Sequence, residues 1–281
     1  MFKTIVSEIL PPIIYKTLSR VVHGNKNHYH PAWHTVEGGD LKGRQIFVDP
    51  KGGTWQREMI EGRYDRFIFE YAHSLDLKGK IVFEIGAHIG FHAMNFAYLV
   101  GVEGFVYAFE PNTFNRERMG MILDKNPDLS ERIKIFDVAI SDTTGQEVFY
   151  FCKDVERGTS SGSFISRAHT YYPKSKEYLE QFEITTVKTV SLDQIASLIG
   201  ADIIPHVMKV DVEGAESSVL KGAVEMLKRH RTLVLMEIHS IYNMLRVYEI
   251  LQSVGYTIEL LKEESDGRCF IAAQPPSGAS S

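Results

Sequence analysis

The residues best suited to chemistry fall into two groups of acids, one with glycines and one with a histidine. In VFEIGAHIGFHA an apolar run ends at Glu84, turns through Gly86, His88 and Gly90, and enters a helical pattern near Phe91. Glycines in such a turn let the backbone approach a ligand closely. The run GFVYAFE ends at Glu110, 24 residues beyond Gly86. A carboxylate at the tip of the second strand of an α/β unit can accept both hydroxyls of a ribose. The first motif reads GxxxG behind an acid, whereas a dinucleotide fold shows GxGxxG to seat a pyrophosphate on a helix N-terminus. Glu84 would repel a phosphate, so the pair predicts a nucleoside without one, as in S-adenosylmethionine. In DVAISD, Asp137 and Val138 fall where the chain would pass the adenine, the apolar side chain against the ring.

The second group lies later. HVMKVDVEGAE carries Asp211 at a strand tip, Glu213 two residues on, and Glu216 opening a helix, where the helix dipole alone explains it. MEIHS places Glu237 and His239 on one side of an extended backbone. With an ordinary pKa near neutrality, a histidine there is a candidate general base for a hydroxyl. We therefore take His239, Asp211 and Glu213 as candidate catalytic residues. Asp211, Glu237 and His239 are candidate ligands for a divalent metal, since crowded acids either raise one another's pKa or bind a cation. The bland alternatives are a solvated strand end for Glu110 and a structural histidine for His239.

These residues need a scaffold that brings strand tips together. The runs KIVFEIG, GFVYAFE, RIKIFDV, HVMKVDV and TLVLMEI read as strands apolar on both faces, with helical patterns between the first three and between the last two. That alternation predicts a mostly parallel sheet with helices on both faces. GQEVFYF and ITTVKTV are further strands in an interruption of the pattern, around a polar segment 152–176. GYTIELL and RCFIAAQ form an antiparallel pair at the C-terminal sheet edge, and PPSGASS reads as a disordered tail. We divide the chain into an N-terminal helix and cap (1–75), a cofactor-binding domain (76–273) and the tail (274–281).

Residues 23–65 are rich in Gly, His and aromatics and read as a cap of hairpins covering the substrate. The segment from Asp65 to Leu75 has helical spacing. Trp33, Trp55 and Tyr64 would suit stacking on a sugar ring. His23, His28, His30 and His34 lack accompanying cysteines and regular spacing, which argues against zinc. A helix over 13–22 would put Ile14, Leu18 and Val21 on one side, a pattern for lying on a membrane surface or packing on the body or a second subunit.

A chain of 281 residues with 44% hydrophobic and 24% charged residues builds a sizeable core. A net charge of -5 and a pI near 6.1 give no field that attracts nucleic acid. The two cysteines, Cys152 and Cys269, form neither a CxxC pair nor a disulfide framework, which suits a reducing cytoplasm. The first 22 residues are too interrupted to span a bilayer, so any membrane association is peripheral, at the inner face.

EIGAHIG, AFEPN, DVAISD, VSLDQI, MKVDVEGAE and a strand ending in an acid together resemble the FkbM family of methyltransferases, from about Leu77 to Ala273. The resemblance implies a class I methyltransferase fold, S-adenosylmethionine as donor, and a hydroxyl acceptor on a sugar, glycan or secondary metabolite such as a polyketide. Glu84 stands where the family commonly has Asp, and His88 where it commonly has Asn. The stretch ILPPIIYKTLSR is similar to N-terminal stretches of members found with polysaccharide genes, which points to a glycan acceptor. The competing readings are an NAD-dependent nucleotide-sugar enzyme, which lacks its GxGxxG here, and a cofactor-binding scaffold without activity.

Overall fold

A computed structural model of the chain describes residues 30–152, 162–168, 175–180, 182–200 and 203–276. The first strands, β1 (Ala32–Thr35) and β2 (Gln45–Val48), form an antiparallel pair. Next come β3 (Ile81–Ile85), β4 (Phe105–Phe109) and β5 (Ile133–Phe136). An intervening group contains β6 (Ala139–Ile140), β7 (Gly145–Cys152), β8 (Phe164–Ile165) and β9 (Phe182–Val190). The chain then supplies β10 (Val207–Val210), β11 (Leu233–Ile238), β12 (Thr257–Glu263) and β13 (Cys269–Gln274).

The main sheet runs β12-β13-β11-β10-β3-β4-β5. The pairs β11/β10, β10/β3, β3/β4 and β4/β5 are parallel, and β13 is antiparallel to both its neighbours. This is the class I methyltransferase fold that the sequence predicts. Of the C-terminal pair, only β12 is an edge; β13 is inserted beside β11. The chain leaves β3 toward β4 and β5 and returns on its other side as β10. A crevice opens where strand order reverses in this way, beyond the carboxyl ends of β3 and β10.

Period-two alternation sorts the strand residues between two cores. Val82, Val106, Val207, Leu235 and Phe270 face one core, with the helix Phe91–Val100 and much of Thr113–Asp124. Phe83, Ile85, Phe109, Met208, Val210 and Met236 face the other, with the helices Glu216–Lys221, Val224–Arg229 and Ile241–Ser253. The expected burial on both faces holds for β3, β4, β10 and β11 but not for β5, where Lys134 and Ile135 are exposed because β5 is the other edge of the sheet.

The interruption predicted after β5 folds as a separate four-stranded sheet, β6-β9-β7-β8, rather than extending the main one. The N-terminal region departs from a cap of hairpins. It has one hairpin followed by two helices, Thr54–Glu61 and Arg66–His73, the second as the spacing predicts. Val36, Leu41, Ile46, Val48, Met59 and Ile68 pack in the first core together with Val82 and Val106, so cap and sheet share one interior. Asn126 ties the hairpin down, exchanging hydrogen bonds with the backbone of Gln45, and Arg44 makes a two-pronged pair with Asp128. No helix among the described residues is long and apolar enough to cross a membrane. The surface helix expected over 13–22, together with His23 and His28, lies outside the described residues.

Gly86 sets the spacing between the tips of β3 and β10. Its φ is 83°, and a Cβ there would lie 1.8 Å from the Asp211 carbonyl oxygen. Gly86→Ala should therefore cost about 2–4 kcal/mol, from left-handed backbone strain plus overpacking. Urea denaturation of the variant against the native protein measures it.

Candidate active site

Beyond the tips of β3, β4, β10 and β11 lies a cavity of about 460 Å³. Gly86, His88, Glu110, Asp211, Glu213, Glu237 and His239, seven of the sequence-predicted residues, line it. Trp55 and Tyr64 of the cap and Phe164 and Ile165 of β8 complete its walls.

On one side, Glu110 follows β4 with its carboxylate buried and doubly held. Oε2 accepts a hydrogen bond from the His88 backbone N–H at 2.8 Å, and Oε1 accepts one from Asn112 N–H at 2.8 Å. Burial pushes its pKa up to about 7, against the pull of those hydrogen bonds. The turn from β3 is fixed by Gly86 and Ala87 N–H donating to the Phe109 carbonyl. His88 adopts a φ of 51°, and its ring lies 5.6 Å from that of Trp55. Burial lowers its pKa to about 4, so the ring is neutral, and its Nε2 has no hydrogen-bond partner among the described residues. Gly90 begins the helix Phe91–Val100, where a Cβ would meet Met119 at 2.6 Å. It shapes the turn without lining the cavity.

On the other side, Asp211 stands just beyond β10, Glu237 in β11 and His239 just after it. His239 Nδ1 is 2.7 Å from Glu216 Oε1, which leaves Nε2 3.4 Å from Glu213, 3.7 Å from Asp211 and 3.7 Å from Glu237. Glu216 is fixed in turn by the Gly214 backbone N–H and the Asn243 side-chain amide. Its role thus exceeds the helix-dipole explanation. Burial disfavours the imidazolium, but Glu213, Glu216 and Asp211 outweigh it and hold the His239 pKa well above 6.5. Burial also works to raise Asp211, yet Lys209 and His239 keep it at about 2. Burial, Asp211 and Glu213 push Glu237 up to about 8, although Arg268 Nη1 donates to it at 2.7 Å. One ligand atom each from Asp211, Glu237 and His239 lie within 4.8 Å of one another, so the fold brings these three residues together.

Three sequence-predicted donor residues do not reach the cavity with their side chains. Glu84 is fully buried within β3, 3.2 Å from Lys209 Nζ, and does not line it. Its carboxylate is held inside the sheet layer by Lys209 and His92, before the turn is reached. Asp137 is 64% exposed and pairs with Arg116 at 2.7 Å, and Val138 is buried in the second core. The apolar wall beyond β5 comes instead from Ala139, Ile140, Phe149 and Phe164. Phe164 and Ile165 lay inside a segment read as polar, and the short SFIS run was their only signal. Lys209 and Asp65 also line the cavity and were not singled out by the sequence. Trp33 packs on Phe47 away from it.

The family model described as the Methyltransferase FkbM domain matches residues 84–258, well over half of the chain. The chain belongs to this family. As an FkbM methyltransferase its match begins at Glu84 in β3 and ends in β12, so it covers both groups of acids but not the cap. A hexuronic acid methyltransferase, AglP of Haloferax volcanii, is 26% identical over 214 residues, 75% of this chain and 77% of that protein. Among solved structures, the methyltransferase FkbM of Methylobacillus flagellatus is 16% identical with a TM-score of 0.46. That alignment covers 79% of this chain and 58% of the other, so the chain spans less than two thirds of that protein. A SAM-dependent O-methyltransferase of Thermotoga maritima is 13% identical, with a TM-score of 0.47, covering 84% and 76% of the two chains.

The cluster makes a spectroscopic prediction. The His239 ring should titrate well above 6.5, and Glu216→Gln, which removes one of the charges that favour the imidazolium, should move the midpoint down. Imidazole NMR over a pH series, with His239→Gln for assignment, reads both.

Proposed function

We propose that this FkbM methyltransferase uses S-adenosylmethionine to methylate a hydroxyl of a carbohydrate. The observation that carries this reading is the facing of Glu110, a buried acid presented by two backbone N–H groups, and the His239 cluster across one cavity. Glu110 would accept the ribose hydroxyls, with Gly86 and His88 bounding the same side. When bound, S-adenosylmethionine supplies an electrophilic methyl group on a sulfonium, whose positive charge suits a cavity rich in carboxylates. The carbohydrate acceptor is supported by the hexuronic acid specificity of the Haloferax relative's name and by Trp55 and Tyr64 in the cavity wall. Aromatic faces of this kind pack on the apolar faces of sugars.

In-line displacement requires the acceptor oxygen to be aligned with the methyl group and relieved of its proton. Glu216 anchors His239 by Nδ1 and turns Nε2 into the cavity, the orientation a general base needs. The neighbouring carboxylates make His239 a strong proton acceptor, but it must first be neutral, so activity should rise with pH along an acid limb with its midpoint above 6.5. The Asp211, Glu237 and His239 grouping supports a second reading, in which the three hold a divalent cation. Such a cation lowers the pKa of a neighbouring hydroxyl, and Glu213, outside the ligand set, would then receive the proton.

Calorimetry with S-adenosylmethionine and S-adenosylhomocysteine tests the donor. Micromolar binding by the native protein, weakened roughly tenfold or more in Glu110→Ala, is expected for loss of a buried hydroxyl pair. No binding by the native protein would remove the proposal. In a panel of neutral and uronic-acid glycans, turnover should appear with the native protein and vanish in His239→Ala while donor affinity is kept. Turnover unaffected by EDTA would exclude the metal reading, and turnover restored by Mn²⁺ or Mg²⁺ after EDTA would favour it.

A further inference from the structure

Beneath the cavity runs a buried chain of charges that neither half of the proposed reaction uses. Lys209 and Glu84 are register partners on the adjacent parallel strands β10 and β3. Their side chains are 2% and 0% exposed, with Nζ 3.2 Å from Glu84 Oε1. The same ammonium is 3.3 Å from Asp211 Oδ2, and Asp211 Oδ1 lies 3.7 Å from His239 Nε2. Beyond Glu84, His92 places Nδ1 3.7 Å from the Glu84 carboxylate and Nε2 3.2 Å from Asp65 Oδ2. The His92 ring stacks on Tyr64 at 5.4 Å, with the planes 7° apart. Asp65, Tyr64 and Lys209 all line the cavity, and Glu84 does not.

A buried ion pair is poor value as a stabiliser, because a well-packed apolar pair of similar volume is often as stable or more so. A Lys209–Glu84 pair in the interior of two core strands therefore calls for another role. Lys209 also pairs with Asp211 through one carboxylate oxygen, which leaves the other toward His239. Glu84 in turn fixes Lys209, and His92 with Asp65 connects Glu84 to the segment leading out of the cap.

We infer that Glu84 and Lys209 are positioning residues, which aim Asp211 at the His239 cluster and link that aim to the seating of the cap through His92 and Asp65, and that Glu84 does not contact the methyl donor. The role given to Asp211 rests on the proposed function.

The test uses the full-length protein and Glu84→Gln, which keeps shape and removes charge. Three readouts need no acceptor: S-adenosylhomocysteine affinity by calorimetry, the imidazole NMR signals of His239, and thermal unfolding. Affinity should stay within about twofold of native while the His239 signals move. Lys209→Met combined with Glu84→Gln should move them to a similar place, because both act through one chain. Glu84→Asp, which keeps the charge, should leave them near native; if Glu84→Gln fails to fold, Lys209→Met alone carries the test, with the His239 signals expected to move. Loss of affinity by about tenfold or more in Glu84→Gln would overturn the inference by making Glu84 a donor contact. Unmoved His239 signals would overturn it as well, by reducing the pair to a structural role. If the native protein binds no S-adenosylhomocysteine, the donor reading fails, and the His239 signals still decide whether Glu84 and Lys209 act on Asp211.

Discussion

Carboxylates repel one another and lose hydration when they are buried together, so several can share a cavity only where cations are buried with them or some of them take up protons. The architecture of this methyltransferase is organised around that constraint. Lys209 lies opposite Glu84 in the β10/β3 register, Arg268 reaches Glu237 from the loop before β13, and His239 stands among Asp211, Glu213 and Glu216. Period-two alternation puts Glu84, Lys209, Asp211, Glu110 and Glu237 on the sheet face that also carries Val82, Val106, Val207 and Leu235. This is the face against which the cap packs. The cap therefore covers the charged face rather than the other, and charges screened from water interact more strongly across the cavity.

Backbone strain follows the same geography. Three non-glycine residues among those described have positive φ, namely Asp65, His88 and Glu213, and all three line this one cavity. His88 and Glu213 lie in loops just beyond β3 and β10, Asp65 caps the helix Arg66–His73, and each is held by a contact within the site. The His88 N–H donates to Glu110, the Asp65 carboxylate meets His92, and Glu213 faces His239. Strain of this kind persists where surrounding structure enforces it, and it clusters at functional sites. Here it marks the cap-side Asp65 as part of the same constellation as the strand-tip residues.

Much of this was legible in the sequence because buried parallel strands have a strong signature. KIVFEIG, GFVYAFE, HVMKVDV and TLVLMEI could be ordered, and their terminal acids placed at one sheet edge, before any coordinates. The direction of each side chain could not. Glu84 precedes a glycine turn and looks ligand-facing, yet its pairing with Lys209 and His92 keeps it buried inside the sheet layer. Asp137 follows β5 and looks adenine-facing, yet Arg116 draws it outward. Lys209 reads as a polar accident within an apolar run, because its partner Glu84 is 125 residues away in sequence. The helix Thr54–Glu61 was hidden behind Pro50, Gly52 and Gly53, whose turn chemistry dominated the local pattern. Long-range pairing decided each of these cases, and local composition does not record it.

The insertion of β13 beside β11 has a consequence for biosynthesis. During synthesis, β3, β4, β5, β10 and β11 emerge first, and the outer edge of β11 then lacks a partner. Glu237 pairs in register with Phe270, and Arg268 precedes that strand, so Glu237 has neither its strand partner nor its Arg268 contact until residues 268–274 have left the ribosome. Pairing by non-local strands is intrinsically slow, and an unpaired edge is a site for wrong association. A nascent chain would thus hold most of its donor-side wall early and complete the bracing of Glu237 last. Products truncated before β13 would expose the β11 edge and lack the Arg268 contact, which ties the final form of the acid cluster to the synthesis of that strand.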